Sequence, residues 1–388
     1  MSRDYLAIVL GLGGLGSATL YRLARRIGGA ALGLEQFTLD HHRGSSQDHS
    51  RIIRLSYHTP GYVNLARHAY TAWSEVEKDA GEQLIYKTGG LDLWPTEPAF
   101  PMNAYTSSMD AWNVPYERLS AAEVMARWPQ FRLPEDVTAI FQAEGGIATP
   151  NKSNAAHRQL AKTYGADIRD NAPVTAIRTI GDAIELVADG ETYRCRQLIV
   201  TAGAWSNHIL AHFGRRLQLT ITQEQVTYYR TPHAADFMPD RFPVWIWMDD
   251  PSFYGFPVFG EPGPKVAQDV GGERVTPQNR SFEPNEATLA RTEAFLARYI
   301  PTTLGDRLVT KTCLYDMPPD RNFVLGSLPE QPNVSLAIGA GHSFKFAALI
   351  GKILCDLALD GGTTFDIAPF HVDRPILLEE NPALNFMC

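Results

Sequence analysis

The sequence predicts an α/β protein in which a βαβ-based domain is interrupted by a second, mainly antiparallel β-sheet domain. Three observations carry that expectation. A glycine loop joins an apolar strand to a helix at the N-terminus, residues 218–270 are strand-like and rich in aromatics, and α/β patterning returns near the C-terminus. A chain of 388 residues is long enough for two closely packed domains. Its 44% hydrophobic and 20% charged residues are those of an ordinary globular protein.

Taken in order, Tyr5–Leu10 reads as a buried parallel strand, Ser17–Arg26 as a helix and Ala30–Glu35 as a second strand. Residues 62–79 have long amphipathic helical spacing. Residues 120–129 form a helix opened by Ser120, with Glu123 completing a capping box. A helix over Lys152–Gly165 precedes a hairpin, AIELVADGETYRCRQLIV, whose turn is Asp189-Gly190. The segments QVTYYRT, FPVWIWM and SFYGFPVFG supply the antiparallel section, 284–299 a helix, and 333–360 a strand, a loop and a last helix. This order places a nucleotide-binding domain in 1–85, 145–217 and 310–388, and a substrate domain in 86–144 and 218–309.

A net charge of −8 argues against a nucleic-acid or anionic-membrane partner, since both need a basic face. Cys195, Cys313, Cys355 and Cys388 are too widely spaced for a metal knuckle or a disulfide framework, which points to a reducing, cytoplasmic setting. His41, His42 and His49 lack further ligands at metal-binding spacing, so no metal is expected. The apolar N-terminus carries Asp4 and no small-residue cleavage site, so it does not read as a leader. Lys345 and Lys352 interrupt the other apolar stretch, so no membrane span is expected.

Gly11-Leu12-Gly13-Gly14-Leu15-Gly16 is GxGxxG between a strand and a helix. The first glycine allows the tight turn, the second lets backbone N–H groups reach a pyrophosphate, and the third lets helix and strand pack closely. Glu35 ends the next strand, where a carboxylate can accept from ribose hydroxyls and disfavours a 2′-phosphate. The motif alone does not separate FAD from NAD. The strand QLIVTAGAWSN, ending at Gly203, together with Ala172-Pro173-Val174, suits FAD folds but reads equally as one more core strand.

Arg51 and Arg54 are three apart, a spacing that puts two guanidiniums on one face of a helical turn. They could grip a carboxylate, although a surface ion pair is the plainer reading. Lys345, between Phe344 and Phe346, is enclosed enough to suggest an anionic ligand, while Lys265 reads more readily as a lysine reaching the surface. His342 is either a base or a packing residue. Cys313 by itself reads as a packed thiol.

The segments SRIIR (50–54), FYGFP…K (253–265), CLY…PD (313–320) and GHSFKF (341–346) together resemble the monomeric sarcosine oxidase family, with N-methyltryptophan oxidase and pipecolate oxidase among its members. The resemblance runs from the glycine loop to HVDRP. It implies a Rossmann-like FAD-binding domain interrupted by the antiparallel substrate domain, and FAD tethered through a thioether at Cys313. It further implies cofactor contacts at Gly11, Gly13, Leu15, Gly16, Glu35, Ser46, Arg51, Val174, Gly203 and Lys345. Arg54 and Lys345 would bind a substrate carboxylate, Lys265 would serve O₂, and Tyr254, Tyr315 and Asp269 would line the reacting pocket beside Arg51.

The expected activity is oxidation of a secondary or N-methyl amino acid to an imine, with H₂O₂ as co-product, by a monomer. A cyclic imino acid as substrate and a weakly active flavin-binding subunit are the alternatives. Two positions depart from the family's histidines, Gln47 and Asp269, and the loop before FKF is one residue shorter. Asp269 is expected to change the pocket charge and move the substrate toward a bulkier or more cationic amine.

Overall fold

The computed structural model describes residues 3–385, and Cys388 lies outside them. Strand Arg3–Leu10, helix Gly14–Ile27 and strand Ala31–Leu34 form the expected βαβ unit, with Leu10 opposite Leu34 in parallel register. The inner half of the first strand, Ala7–Leu10, is fully covered because helices lie over the sheet. One of them, Ala347–Asp360, approaches so closely that a Cβ on Gly351 would meet the backbone of Ala18 at 2.6 Å.

Among the described residues this first sheet has eight strands, ordered 174–180, 183–188, 191–200, 3–10, 31–34, 167–169, with 331–338 also on 191–200 and 324–328 on 331–338. The hairpin forms as expected, Asp189 and Gly190 both having positive φ (48° and 72°), as a two-residue turn matched to strand twist requires. The capping box at Ser120 and Glu123 is complete and opens helix Ala121–Arg127. Helix Pro60–Ala80 is capped by Thr59 and stopped by left-handed Gly81.

The second sheet has nine strands, in the order 273–274, 220–229, 265–269, 252–256, 244–247, 90–94, 138–142, 117–120, with 307–317 also on 220–229. Its outer core is aromatic: Phe253 stacks on Phe295, and Trp245 and Trp247 pack on the same ring. Strand Arg307–Met317, which carries Cys313, hydrogen-bonds within this second sheet, Cys313 lying opposite Glu224, whereas the sequence places residues 310–317 in the nucleotide-binding domain.

A third, three-stranded sheet corrects one expectation. Arg51–Ile53 is a strand paired with Gly146–Ala148, not a helical turn. The β-branched pair Ile52-Ile53 favours the pleated conformation and buries there, so the arginines are not joined by helical spacing. No helix among the described residues is long and apolar enough to cross a membrane.

Candidate active site

A cavity of about 480 Å³ is lined from both large sheets and runs from the glycine loop to Lys345. At its first end Gly11 has φ 89°, and a Cβ there would sit 2.6 Å from the Thr201 carbonyl oxygen. A Cβ on Gly13 would meet the Ser46 hydroxyl at 2.8 Å, and that hydroxyl accepts from the Gly14 N–H at 2.8 Å. Helix Gly14–Ile27 opens here with no acidic side chain in its first turn, leaving its N-terminus attractive to a phosphate. Glu35 is fixed by the Leu12 N–H on Oε2 (2.9 Å) and the Phe37 N–H on Oε1 (3.1 Å); Oε1 also faces His41 Nε2 at 3.4 Å, and Oε2 keeps a further lone pair.

Asn154 also lines the cavity, its amide donating to Ser46 O at 2.9 Å while its Oδ1 is buried without a partner. Glycines that a Cβ would fill, a fixed carboxylate and an unmatched acceptor fit a dinucleotide. Leu15, Val174 and Gly203 lie on the same wall. Gly16 does not: its hydrogen keeps helix and strand together, since a Cβ would stand 1.8 Å from Gly11 O.

The other end carries the cations. Lys265 is 1% exposed, which corrects the expectation of a surface lysine. Its ammonium donates to Asp48 Oδ2 at 2.9 Å and to Ser50 O at 2.8 Å, and lies 4.0 Å from the Phe256 ring centre. Burying an ammonium costs several kcal/mol unless it is paired, so Asp48 is what permits this placement. Burial pushes Lys265 down to about 8, against the pull of Asp48. Arg51 locks its own loop, donating to the carbonyls of Ser45, Gln47 and Ser50 at 2.8–2.9 Å.

Arg54, far from being a surface residue, is buried and paired with Asp92 at 3.2 Å. Lys345 is only half-buried and faces the Tyr57 ring at 5.7 Å, with Arg54 against the same ring at 5.1 Å. The fold thus brings Arg54 and Lys345 to one aromatic platform that sequence spacing does not reveal.

Tyr254 and Tyr315 stand side by side in the cavity wall, both phenols held above their ordinary range by burial. Gly341, at φ 77°, lets its loop rest on the Tyr315 ring, which a Cβ would meet at 2.5 Å. Asp269 lies 3.5 Å from the Tyr315 hydroxyl but is ion-paired with buried Arg321 at 2.8 Å. Arg321 cancels the charge on which a preference for cationic amines was to rest, so that expectation loses its electrostatic basis. Arg321→Met is expected to destabilise the protein by about 3–5 kcal/mol, because it strands a carboxylate at the cavity wall. A denaturant midpoint equal to the parent's would contradict this.

His342 lines the cavity, its Nδ1 buried without a partner. Its Nε2 meets the Arg321 carbonyl, which can only accept, so Nε2 carries the proton, and the ring lies 4.7 Å from Phe323. Burial, reinforced by Lys345 and Arg321, keeps the imidazole neutral. Cys313 lines the cavity, half-buried, its thiol pushed up to about 11 by burial while Arg51 pulls the other way. Gln47 donates to Thr312 O at 2.6 Å and meets His42 at 3.0 Å, and Arg280 holds Thr312 Oγ1 at 2.7 Å, so the cysteine strand is clipped on both sides. Cys195 and Cys355 are buried thiols outside the cavity.

Sequence reasoning did not find Asp48, Lys311, Arg321, Asn154 or Asp92. Asp48 and Arg321 carry backbone signals, left-handed φ of 87° and 55°, which only the folded chain shows.

A nucleotide cradle joined to a cationic, tyrosine-lined pocket across two sheets defines a flavin-dependent oxidoreductase, and the comparisons agree. The family described as FAD dependent oxidoreductase matches residues 7–357, and the chain belongs to it. FAD is its cofactor. The chain is 34% identical to monomeric sarcosine oxidase of Streptomyces avermitilis, over 96% of this chain and 98% of that one. It is 30% identical to N-methyl-L-tryptophan oxidase of Escherichia coli, over 95% and 99% respectively. Among solved structures, NikD, an unusual amino acid oxidase essential for nikkomycin biosynthesis, superposes with a TM-score of 0.87 at 26% identity, covering 98% of this chain and 100% of that one.

Proposed function

We propose that this protein oxidises a secondary or N-methyl amino acid at the carbon beside nitrogen, giving an imine that hydrolyses to an aldehyde and an amine, with O₂ reduced to H₂O₂. The observation that carries the reading is the continuity of one cavity from Gly11 and Glu35 to Arg54, Lys345 and Lys265. FAD, when bound, supplies the acceptor for the hydride. Gly11, Gly13, Leu15, Ser46 and Glu35 would hold its pyrophosphate and ribose end, and Val174 and Gly203 the adjoining wall.

This chain's residues do the rest. Arg54 and Lys345 bind the substrate carboxylate and so fix which carbon faces the cofactor. Tyr254 and Tyr315 exclude water beside that carbon and stay protonated, so they can donate but not act as bases. The tyrosines are held neutral and Asp269 is tied to Arg321, so neither serves readily as a base, which suits an amine that arrives unprotonated. Arg51 and Lys265 place positive charge where electrons collect, and Lys265 is the cation that serves O₂.

We assign the FAD tether to Cys313, the dinucleotide domain to the segments carrying the eight-stranded sheet and the substrate domain to the nine-stranded sheet, in a chain acting as a monomer in the cytoplasm. An anaerobic panel of amines, scored by bleaching of the flavin and then by peroxide on aeration, tests the function. Bleaching by sarcosine or other N-methyl amino acids with peroxide on aeration is expected. Loss of colour with cyclic imino acids alone would move the substrate to that class. For the tether, acid precipitation is expected to leave yellow colour in the wild-type pellet and to release it to the supernatant in Cys313→Ser. Colour released from both would remove the tether.

A further inference from the structure

Asp48 belongs to no motif and sits in the loop before strand Arg51–Ile53, buried, with φ 87°. That backbone region favours glycine, so an aspartate kept there is held by its side chain. Its carboxylate accepts from Lys265 Nζ at 2.9 Å, Lys311 Nζ at 3.0 Å and the Tyr228 hydroxyl at 2.8 Å. Lys311 in turn pairs with Glu261 at 2.8 Å, which meets His49 at 3.2 Å nearer the surface.

The elements packed around the pair contribute titratable or charged groups. Arg51, 3.9 Å from Asp48, comes from its strand, Tyr228 from strand Thr220–Tyr229, Lys311 and Cys313 from strand Arg307–Met317, Tyr254 from strand Ser252–Phe256, whose Phe256 faces the ammonium, and Glu261 and His49 from the loops. Arg51 and Lys311 repel the Lys265 ammonium. Glu261 is engaged by Lys311 and His49, so Asp48 is the carboxylate in contact with Lys265.

We propose that Asp48 is a positioning residue whose carboxylate holds the Lys265 ammonium in place and charged at the cavity wall. The consequence for turnover rests on the proposed function, in which Lys265 serves O₂. Although burial opposes it, Lys265, Arg51 and Lys311 hold the Asp48 carboxyl well below the usual range, so Asp48 is an anion throughout the working pH window. The Lys265 charge is present below about pH 8 and is lost as pH rises through that value. Without Asp48, burial and the two flanking cations act unopposed, and the loss moves to lower pH.

The test uses the holoenzyme and two variants. Asp48→Asn keeps the shape and tolerates a left-handed backbone, while Asp48→Gly relieves the backbone and also lacks the charge. The Lys265 side-chain nitrogen is titrated by NMR, assigned by its absence in Lys265→Met, beside the pH profile of O₂ uptake by anaerobically reduced enzyme. Both variants are expected to lower the Lys265 midpoint by about one pH unit or more. Above both midpoints, O₂ uptake then falls about tenfold for every pH unit by which the midpoint has dropped. An unmoved Lys265 midpoint in both variants overturns the proposal, whatever the activity. A midpoint that moves while the oxygen profile stays put upholds the Asp48 contact and removes the oxygen role of Lys265 instead.

Discussion

Lys265→Met is expected to slow O₂ uptake about 10²–10³-fold, the range for deleting one preorganised charge in a water-poor site. Anaerobic bleaching by the amine is expected to fall far less, because the carboxylate grip proposed for Arg54 and Lys345 lies elsewhere on the wall. The asymmetry follows from how Lys265 is held. It is enclosed by Phe256, Ser50 and Asp48, so its charge reaches the cavity undiluted by water. The variant should still fold, since Asp48 keeps Lys311 and the Tyr228 hydroxyl as partners and is not stranded. Rapid-mixing measurements of the two half-reactions decide the point. Equal slowing of both, or of neither, removes Lys265 from the oxygen step.

Much of the scaffold is legible in the sequence because its signals are local. The glycine loop, the capping box at Ser120 and the Asp189-Gly190 turn each need only a few adjacent residues, and each forms as expected. The charge network is not legible, because its members are distant in sequence. Asp48 meets Lys265 and Lys311 across intervals of 217 and 263 residues, and Asp269 meets Arg321 across 52. A lone lysine among glycines and prolines reads as a surface residue until its carboxylate is known, which is why sequence misplaces Lys265. For Arg51 and Arg54 the cause is different. A spacing of three suggests a helical turn, but the β-branched Ile52-Ile53 between them favours a strand, and pairing with Gly146–Ala148 makes it one.

Arg54→Met is expected to weaken carboxylate binding about 10²-fold, roughly 3 kcal/mol for a charge-assisted contact, and also to destabilise the fold by about 3–5 kcal/mol. The two losses have separate causes and can be pulled apart. Arg54 lines the cavity, whereas its partner Asp92, on strand Gly90–Trp94, does not. The stability loss comes from leaving the Asp92 carboxylate buried and uncompensated. The affinity loss comes from the missing guanidinium. Adding Asp92→Leu should therefore restore most of the stability, since an apolar pair in place of a buried ion pair is often neutral or better. It should restore none of the affinity. Denaturant midpoints for the single and double variants, set beside the binding of a non-reacting carboxylate analogue, separate the two. If the double variant regains binding, the carboxylate rests on Lys345 alone, and Arg54 is there to neutralise Asp92.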